Sequence, residues 1–407
     1  MNLATQVDYQ SYLLKASLLE HLPPAIFVLL LGCCVGSFLN VVHYRMPRRL
    51  KLLTPPSSCP LCNHKLKFFR ENLPVIGWFI IGGKCSHCKA PVSKEYPIVE
   101  AITGLIFLGV YVLCYWVPQS TPFFGEVFGS WWHANTIYKT LPMYLAMVTL
   151  CSGLLSMTVI DARTFTIPIQ IPNAMVIVGV LAAGIQACIH LRHTPNEVWP
   201  FPLPDWTWAA TALGGMTGVL ISTSLLCIGV FKYSFADYEA YVTEDHPIAE
   251  YPHARREMVK ELLFLTPVII GVFVGFFAGY EKGMPPFIVQ AISGSLLGYL
   301  VGGGLVWAVR IFGTLAFGRE AMGLGDVHLL GGVGAILGWF DPILIFFIAP
   351  FSGLIFVLFA GVLEKIGKTQ REIPYGPHLA VATIVVVFAR PFVQDVWHII
   401  MPNVTLP

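Results

Sequence analysis

Long apolar segments, each about the length of a membrane-spanning helix, constrain this chain more than any other feature. Of its 407 residues, 56% are hydrophobic and 12% are charged, whereas a soluble domain carries about 25% charged residues. The mean hydropathy is +0.69. A helix that crosses the hydrocarbon core needs about 20 apolar residues. We therefore predict an all-α, polytopic integral membrane protein that is surrounded by lipid and binds no nucleic acid.

Eight to ten transmembrane helices are expected. The candidate spans are residues 24–44, 96–116, 141–160, 172–190, 208–230, 262–280, 287–312, 327–340, 342–363 and 377–399. The stretch 327–340 is short, so it forms either a tilted span or one arm of a re-entrant pair. Residues 1–22 are mixed and polar, so we expect no cleavable signal peptide.

The segment between the first two spans, residues 45–95, is strongly basic. It carries ten lysines and arginines but only two acids, Glu71 and Glu95. The positive-inside rule therefore predicts that this segment is cytoplasmic. Counting spans onward places Asp161, the loop 231–261, Asp326 and the loop 364–376 on the same side.

Four of the ten cysteines form two CxxC pairs in this basic segment, Cys59 with Cys62 and Cys85 with Cys88. Two such pairs separated by 22 residues can supply four thiolates to one tetrahedral metal, usually zinc. The alternative is a redox pair or unligated thiols; disulfides are disfavoured in the reducing cytoplasm. A site with four thiolates has no open position, so its zinc would be structural and would hold a small cytoplasmic zinc-knuckle domain.

Two aspartates, Asp161 and Asp326, lie at the edges of apolar spans. Ionisable residues at membrane spans are costly and usually functional. Each aspartate also has a non-catalytic interpretation. In it, Asp161 is a helix-capping acid at the membrane surface, and Asp326 belongs to a loop turn ahead of a span. The glycines of Gly323-Leu324-Gly325-Asp326 permit close backbone approach. Two acids on one face predict a dyad in which one carboxylate activates water and the other polarises the scissile carbonyl.

Several short motifs together resemble the bacterial type IV prepilin peptidases, which are membrane aspartic peptidases with a GxGD motif. The motifs that carry this resemblance are Gly36-Ser37-Phe38-Leu39-Asn40-Val41-Val42, Tyr44-Arg45-Met46-Pro47, Pro55-Pro56-Ser57-Ser58-Cys59-Pro60, Glu71-Asn72-Leu73-Pro74, Gly83-Lys84-Cys85, Tyr96-Pro97-Ile98-Val99-Glu100 and Ile373-Pro374-Tyr375-Gly376-Pro377.

The resemblance implies that Asp161 and Asp326 are catalytic and that Gly323, Gly325 and His328 support them. It implies cleavage of a basic leader from type IV prepilins or type II pseudopilins at the cytoplasmic face of the bacterial inner membrane. It also implies N-methylation of the new amino terminus with S-adenosylmethionine, an activity linked to the cysteine domain. Glu100 near the start of the second span either takes part in methylation, holds the cysteine domain to the membrane, or is an interface acid.

The chain departs from the family pattern at three places. Ile169 follows Ile167-Pro168, where the family usually has Asp or Asn, and His328 stands where Lys is common. Residues 231–312 resemble an insertion of a polar loop and two spans into a peptidase core over 96–399. The acids of the loop 231–261 either attract the basic leader or belong to a solvated connector.

Two other classes of function also fit parts of the sequence. A transporter with a cytoplasmic zinc module would use intramembrane acids for ion coupling, but such acids are expected near the midplane. A non-catalytic scaffold of a secretion machine would explain the spans and the zinc domain but not two acids on one face.

Overall fold

The computed structural model describes residues 3–54, 56–59, 61–193, 200–237, 251–364, 375–404 and 406. Over these residues the regular structure is helical and contains no β-strand. Eight helices are long and apolar enough to cross a membrane, or nine spans if one bent pair counts as a span. The prediction of an all-α polytopic membrane protein is thus confirmed. Parts of the two later polar loops, 238–250 and 365–374, lie outside the described residues.

The described residues form fourteen α-helices. They are α1 (Leu3–Arg45), α2 (Phe68–Glu71), α3 (Ile76–Ile80), α4 (Glu95–Tyr111, continued by the π-helix Val112–Trp116), α5 (Ser130–Ala134), α6 (Ile137–Thr164), α7 (Gln170–His193), α8 (Trp206–Cys227), α9 (Ala254–Gly279), α10 (Phe287–Phe317), α11 (Leu324–Leu337), α12 (Asp341–Glu364), α13 (Gly376–Phe388) and α14 (Arg390–Ile400). They form two compact units, Met1–Ile137 and Tyr138–Pro407.

In the first unit, α1 and α4 pack through small residues. A Cβ at Gly36 would lie 2.6 Å from the Cα of Glu100, and one at Gly32 would lie 2.8 Å from the Cα of Gly104. Helices in membranes associate by such close backbone contact, because lipid offers them no hydrophobic driving force. The cysteine domain connects these two helices in the chain.

In the second unit, the short helix α11 is enclosed by other helices. It contacts α7, α10, α12 and α13, and every residue from Leu329 to Leu337 is buried. A Cβ at Gly298 of α10 would lie only 2.0 Å from the carbonyl oxygen of Gly334 in α11. Backbone that ends within a membrane is tolerated only where protein encloses it. The packing of α11 therefore lets Asp326 and Val327 of its first turn lie buried in the protein.

Two predicted spans differ in the structure. The stretch 327–340 corresponds to α11, which has 14 residues and is about 21 Å long, so it is too short for a full span. The stretch 377–399 is not one straight helix, because α13 and α14 meet at an angle of 90°. Prolines at the start of α13 and α14 remove backbone donors that a continuous helix would need.

Candidate active site

Asp161 lies in the last turn of α6, and its side chain is buried. The backbone N–H of Gly376, at the start of α13, donates to its carboxylate. A Cβ at Gly376 would lie 2.6 Å from Asp161 Oδ2, closer than real Cβ atoms approach. Glycine at this position thus allows a backbone donor to reach the carboxylate directly.

Asp326 is the third residue of α11 and is buried as well. Its backbone N–H donates to the carbonyl oxygen of Gly323 at 3.2 Å. In return, the N–H of Gly323, the N-cap residue, donates to the Asp326 carboxylate. This reciprocal pair fixes the carboxylate against the first turn of its own helix, where the N-cap N–H would otherwise lack an intrahelical partner. The helix dipole also favours a negative charge at this position.

The structure brings the two aspartates together. Their carboxylates are close enough for the charge of Asp161 to act on Asp326. Ile167, from the segment that follows α6, packs against the glycines beside both acids. A Cβ at Gly325 would lie 2.8 Å from Ile167 Cβ, and one at Gly376 would lie 3.1 Å from Ile167 Cδ1. Three segments far apart in sequence therefore meet at one site.

Two further side chains lie near Asp326. The half-buried hydroxyl of Tyr375 interacts electrostatically with the Asp326 carboxylate. His328 is two residues further along α11, and residues so spaced do not face each other on a helix. Its buried Nδ1 has no hydrogen-bond partner among the described residues. The structure thus places His328 on a different face of α11 from Asp326.

Arg310, which none of the sequence motifs includes, is nearly fully buried in α10, and its charge also acts on Asp326. Its guanidinium forms ion pairs with Glu261 and Glu320. A charged residue within an otherwise apolar span is itself a signal of function, and it could have been identified from the run Phe287–Phe317.

The four cysteines of the CxxC pairs converge in the first unit. Their Sγ atoms all lie within 4.8 Å of one another. The Sγ atoms of Cys59 and Cys88 are 3.8 Å apart, and those of Cys62 and Cys85 are 3.9 Å apart. Zinc bound tetrahedrally at about 2.3 Å from each sulfur would separate the sulfurs by about 3.8 Å. The cluster could therefore hold a zinc ion.

The backbone around each cysteine pair has the same conformation. The N–H of Cys59 donates to the carbonyl of His64, as that of Cys85 does to Ala90. The fourth residue after each first cysteine, Asn63 or Lys89, has a positive φ, 54° and 60° respectively. Backbone N–H groups of Cys62 and Leu61 lower the pKa of the Cys59 thiol to about 6. Such donors stabilise a thiolate, the form that binds metal.

Glu100 is buried in α4 and is also part of the first unit. Its Oε2 accepts a hydrogen bond of 2.6 Å from the backbone N–H of Val75. Val75 has a φ of 61°, which is strained for a β-branched residue. Glu100 thus holds a strained turn of the cysteine domain against the second span. The cysteine cluster and Glu100 belong to the first unit, whereas both aspartates belong to the second.

Two family models match the chain. The one described as "Bacterial Peptidase A24 N-terminal domain" matches residues 30–114, which include the cysteine cluster and Glu100. The one described as "Type IV leader peptidase family" matches residues 255–358, which include Asp326. No solved structure matches the chain.

Curated relatives extend the similarity over most of the chain. A protein named "Prepilin leader peptidase/N-methyltransferase" from Pseudomonas aeruginosa is 26% identical over 399 residues, 90% of this chain and 92% of its own. One of the same name from Stutzerimonas stutzeri is 27% identical over 388 residues, which cover 88% of this chain and 89% of that protein. One from Myxococcus xanthus is 41% identical over 98 residues, which cover 24% of this chain and 29% of that protein. The chain is thus similar over most of its length to prepilin leader peptidases, and its residues 255–358 match the model of the type IV leader peptidase family.

Proposed function

We propose that the chain is a membrane aspartic endopeptidase that removes the leader from type IV prepilins or type II pseudopilins and then N-methylates the new amino terminus. The observation that carries the peptidase activity is the meeting of two buried carboxylates, Asp161 and Asp326, held by the backbone N–H groups of Gly376 and Gly323. Relatives that align with most of the chain are named for the same two activities.

The proposed chemistry needs one ionised and one protonated carboxyl group. The carboxylate removes a proton from a water molecule, and the water oxygen attacks the scissile carbonyl carbon. The carboxylic acid donates its proton to the carbonyl oxygen. The tetrahedral intermediate then collapses. The first carboxyl group gives its proton to the leaving amine, the C–N bond breaks, and the second carboxylate takes a proton back from a hydroxyl of the intermediate. No covalent enzyme intermediate forms, so no serine or cysteine nucleophile is required.

The neighbouring residues have supporting roles in this proposal. Gly323 and Gly376 orient the carboxylates by backbone hydrogen bonds. Gly325 leaves room for Ile167, whose side chain packs against this end of the site and helps to exclude water. His328 supports the packing of α11 from another face and does not act on the substrate.

The basic segment 45–95 orients the proposed enzyme in the bacterial inner membrane. Its ten positive charges hold that segment in the cytoplasm, and counting spans along the sequence from it predicts the cytoplasmic side for both aspartates. A prepilin leader that has not crossed the membrane would thus meet the active site directly.

Cys59, Cys62, Cys85 and Cys88 are the proposed ligands of one structural zinc ion. Four protein ligands leave no open position for substrate, so the metal stabilises the domain 45–95. S-adenosylmethionine supplies the methyl group when it is bound. Glu100 contributes by fixing the turn at Val75, which keeps the cysteine domain in place.

The test uses the purified full chain in detergent micelles. Its substrate is a precursor peptide with a basic leader, a Gly-Phe junction and the following apolar segment. We expect mass spectrometry to find the leader released at that junction, and the new amino terminus to gain one methyl group only when S-adenosylmethionine is added. An intact precursor would overturn the peptidase assignment; a cleaved but never methylated product would overturn the second activity alone.

A further inference from the structure

A network of buried charges lies between α9, α10 and the connection to α11, and the charge of its Arg310 acts on Asp326. Arg310 is 2% exposed and Glu261 is 3% exposed. Buried charges must be well paired, because their loss of hydration is expensive. The hydrogen bonds of both side chains therefore show which parts of the chain they hold together.

All three guanidinium nitrogens of Arg310 contact acceptor oxygens. Its Nε lies 3.0 and 3.1 Å from the two carboxylate oxygens of Glu261, and its Nη2 lies 2.9 Å from Oε1 of the same residue. Its Nη1 donates to the carboxylate of Glu320 and to the backbone carbonyl of Met322. Arg310 therefore joins α9 to the residue that immediately precedes Gly323.

Glu261 is itself held by further donors. The indole Nε1 of Trp307 donates to its Oε2 at 2.7 Å, and the hydroxyl of Ser234 donates to its Oε1 at 3.0 Å. The ring of Phe235 lies against the guanidinium of Arg310, with 5.0 Å from Cζ to the centroid. The Phe235 N–H in turn donates to buried Glu257 at 2.8 Å. The start of the polar loop thus covers the network, and Glu257 and Glu261 are not available to attract a basic leader.

The connection from α10 to α11 folds back along α10. Gly318 ends α10 with a φ of 74°, a left-handed conformation that glycine adopts readily. The N–H of Ala321 donates to Thr314 Oγ1 at 3.1 Å, and a Cβ at Gly313 would lie 2.6 Å from that of Ala321. Together with Arg310, these contacts define the path of residues 318–323 up to Gly323, whose N–H donates to the Asp326 carboxylate.

We propose that Arg310, held by Glu261, is a positioning residue that sets the connection 318–323 and so places Asp326 opposite Asp161. This inference rests on the proposed peptidase function. It assigns the described part of the loop 231–261 a supporting role behind the active site. Because Arg310 acts on the placement of a reacting group, its loss should lower kcat and leave KM nearly unchanged.

The experiment compares the double variant Glu261→Gln/Arg310→Met with wild type in cleavage of the precursor peptide. The double variant removes both charges, so neither is left buried alone. Arg310→Lys keeps the charge but cannot bind Glu261 and Met322 at once, because it lacks the planar fork. Arg256→Gln is the matched control, because it removes an exposed positive charge from α9. Amide hydrogen exchange of residues 318–326 is measured in the same samples.

Misplacement of a reacting group costs on the order of a hundredfold in rate. We therefore expect kcat to fall at least thirtyfold in the double variant and about tenfold in Arg310→Lys. The KM of both variants should stay within threefold of the wild-type value. Exchange in 318–326 should quicken in the double variant, and Arg256→Gln should match wild type. If the wild type is active, the inference would be overturned by a double variant with unchanged kcat, with a change in KM alone, or with unchanged amide exchange. An inactive wild type would instead reject the proposed function.

Discussion

Gly376 touches Asp161 so closely that a Cβ in its place would lie 2.6 Å from the carboxylate oxygen. The same glycine donates its backbone N–H to that carboxylate. The start of α13 therefore both orients Asp161 and limits its position. A side chain here cannot be accommodated unless the carboxylate or the helix start moves.

Gly376→Ala should lower cleavage of the precursor by on the order of a hundredfold, because a displacement of about 1 Å at a reacting group costs about that much. The matched control is Gly304→Ala in α10, where a Cβ would meet open space. The control should keep full activity and fold. A Gly376→Ala enzyme with wild-type kcat would show that Asp161 tolerates movement and that its contact with Gly376 is incidental.

Zinc content tests the cysteine cluster. Elemental analysis of the purified chain should find one zinc per molecule, and Cys59→Ser or Cys85→Ser should lose it, because each removes one of four ligands. Cys34→Ser and Cys227→Ser, which replace exposed cysteines of the spans, are the controls and should retain the metal. Binding of structural zinc is worth about 10–16 kcal/mol in small domains, so its loss should unfold the segment 45–95.

Methylation and cleavage should respond differently to that loss. The cysteine domain is in the first unit and both aspartates are in the second. The zinc-free variants should therefore lose methylation while they retain cleavage. Equal loss of the two activities would contradict the assignment of separate roles.

Glu71 makes the cysteine domain sensitive to acid. Hydrogen bonds from Ser86 and from the Lys67 backbone N–H, the latter at 2.8 Å, hold the pKa of the buried Glu71 carboxyl below its usual value. A lowered folded pKa adds stability above the unfolded pKa of about 4.3, and that stability is lost as pH falls through the folded value.

Glu71→Gln should thus make the domain easier to digest by limited proteolysis at pH 7. The difference from wild type should shrink as the pH falls below about 4.3. Because zinc release by acid affects both proteins, only their difference is diagnostic. A difference that stays constant down to pH 3 would show that the charge of Glu71 does not contribute.

Substitution of Glu100 tests whether the contact of the second span with the cysteine domain is needed for methylation. Glu100→Leu removes the acceptor of the 2.6 Å hydrogen bond from Val75, which leaves a donor unpaired in a strained turn. We expect methylation to fall at least tenfold and cleavage to stay within twofold of wild type. Glu100→Gln keeps an acceptor oxygen and should retain more methylation than Glu100→Leu. If Glu100→Leu methylates normally, this contact has no part in that activity.

The sequence was informative about features that depend on neighbouring residues or on the order of spans along the chain. Apolar length predicted the membrane class, and the CxxC spacing predicted the cysteine cluster that the structure assembles. Counting spans placed Asp161 and Asp326 on one face, and their carboxylates do interact. Span ends were less predictable, because α11 is enclosed by protein and need not match the bilayer thickness.

Contacts between distant segments could not be predicted in this way. The approach of Gly376 to Asp161 joins positions 215 residues apart, 376 minus 161. The pairing of Arg310 with Glu261 depends on how α9 and α10 pack, which no short pattern encodes. The acids of the loop 231–261 looked like a solvated or leader-attracting surface, but Glu257 and Glu261 are buried and paired.

The most direct test of the account compares precursor cleavage by wild type, Asp161→Asn and Asp326→Asn in detergent. Each variant keeps the size of the side chain and an oxygen that can accept the backbone N–H of Gly376 or Gly323, so the fold should persist. We predict that both variants lose cleavage by at least a thousandfold, with unchanged helix content and thermal stability. Cleavage that persists in either folded variant would contradict the dyad, because that aspartate would then be structural.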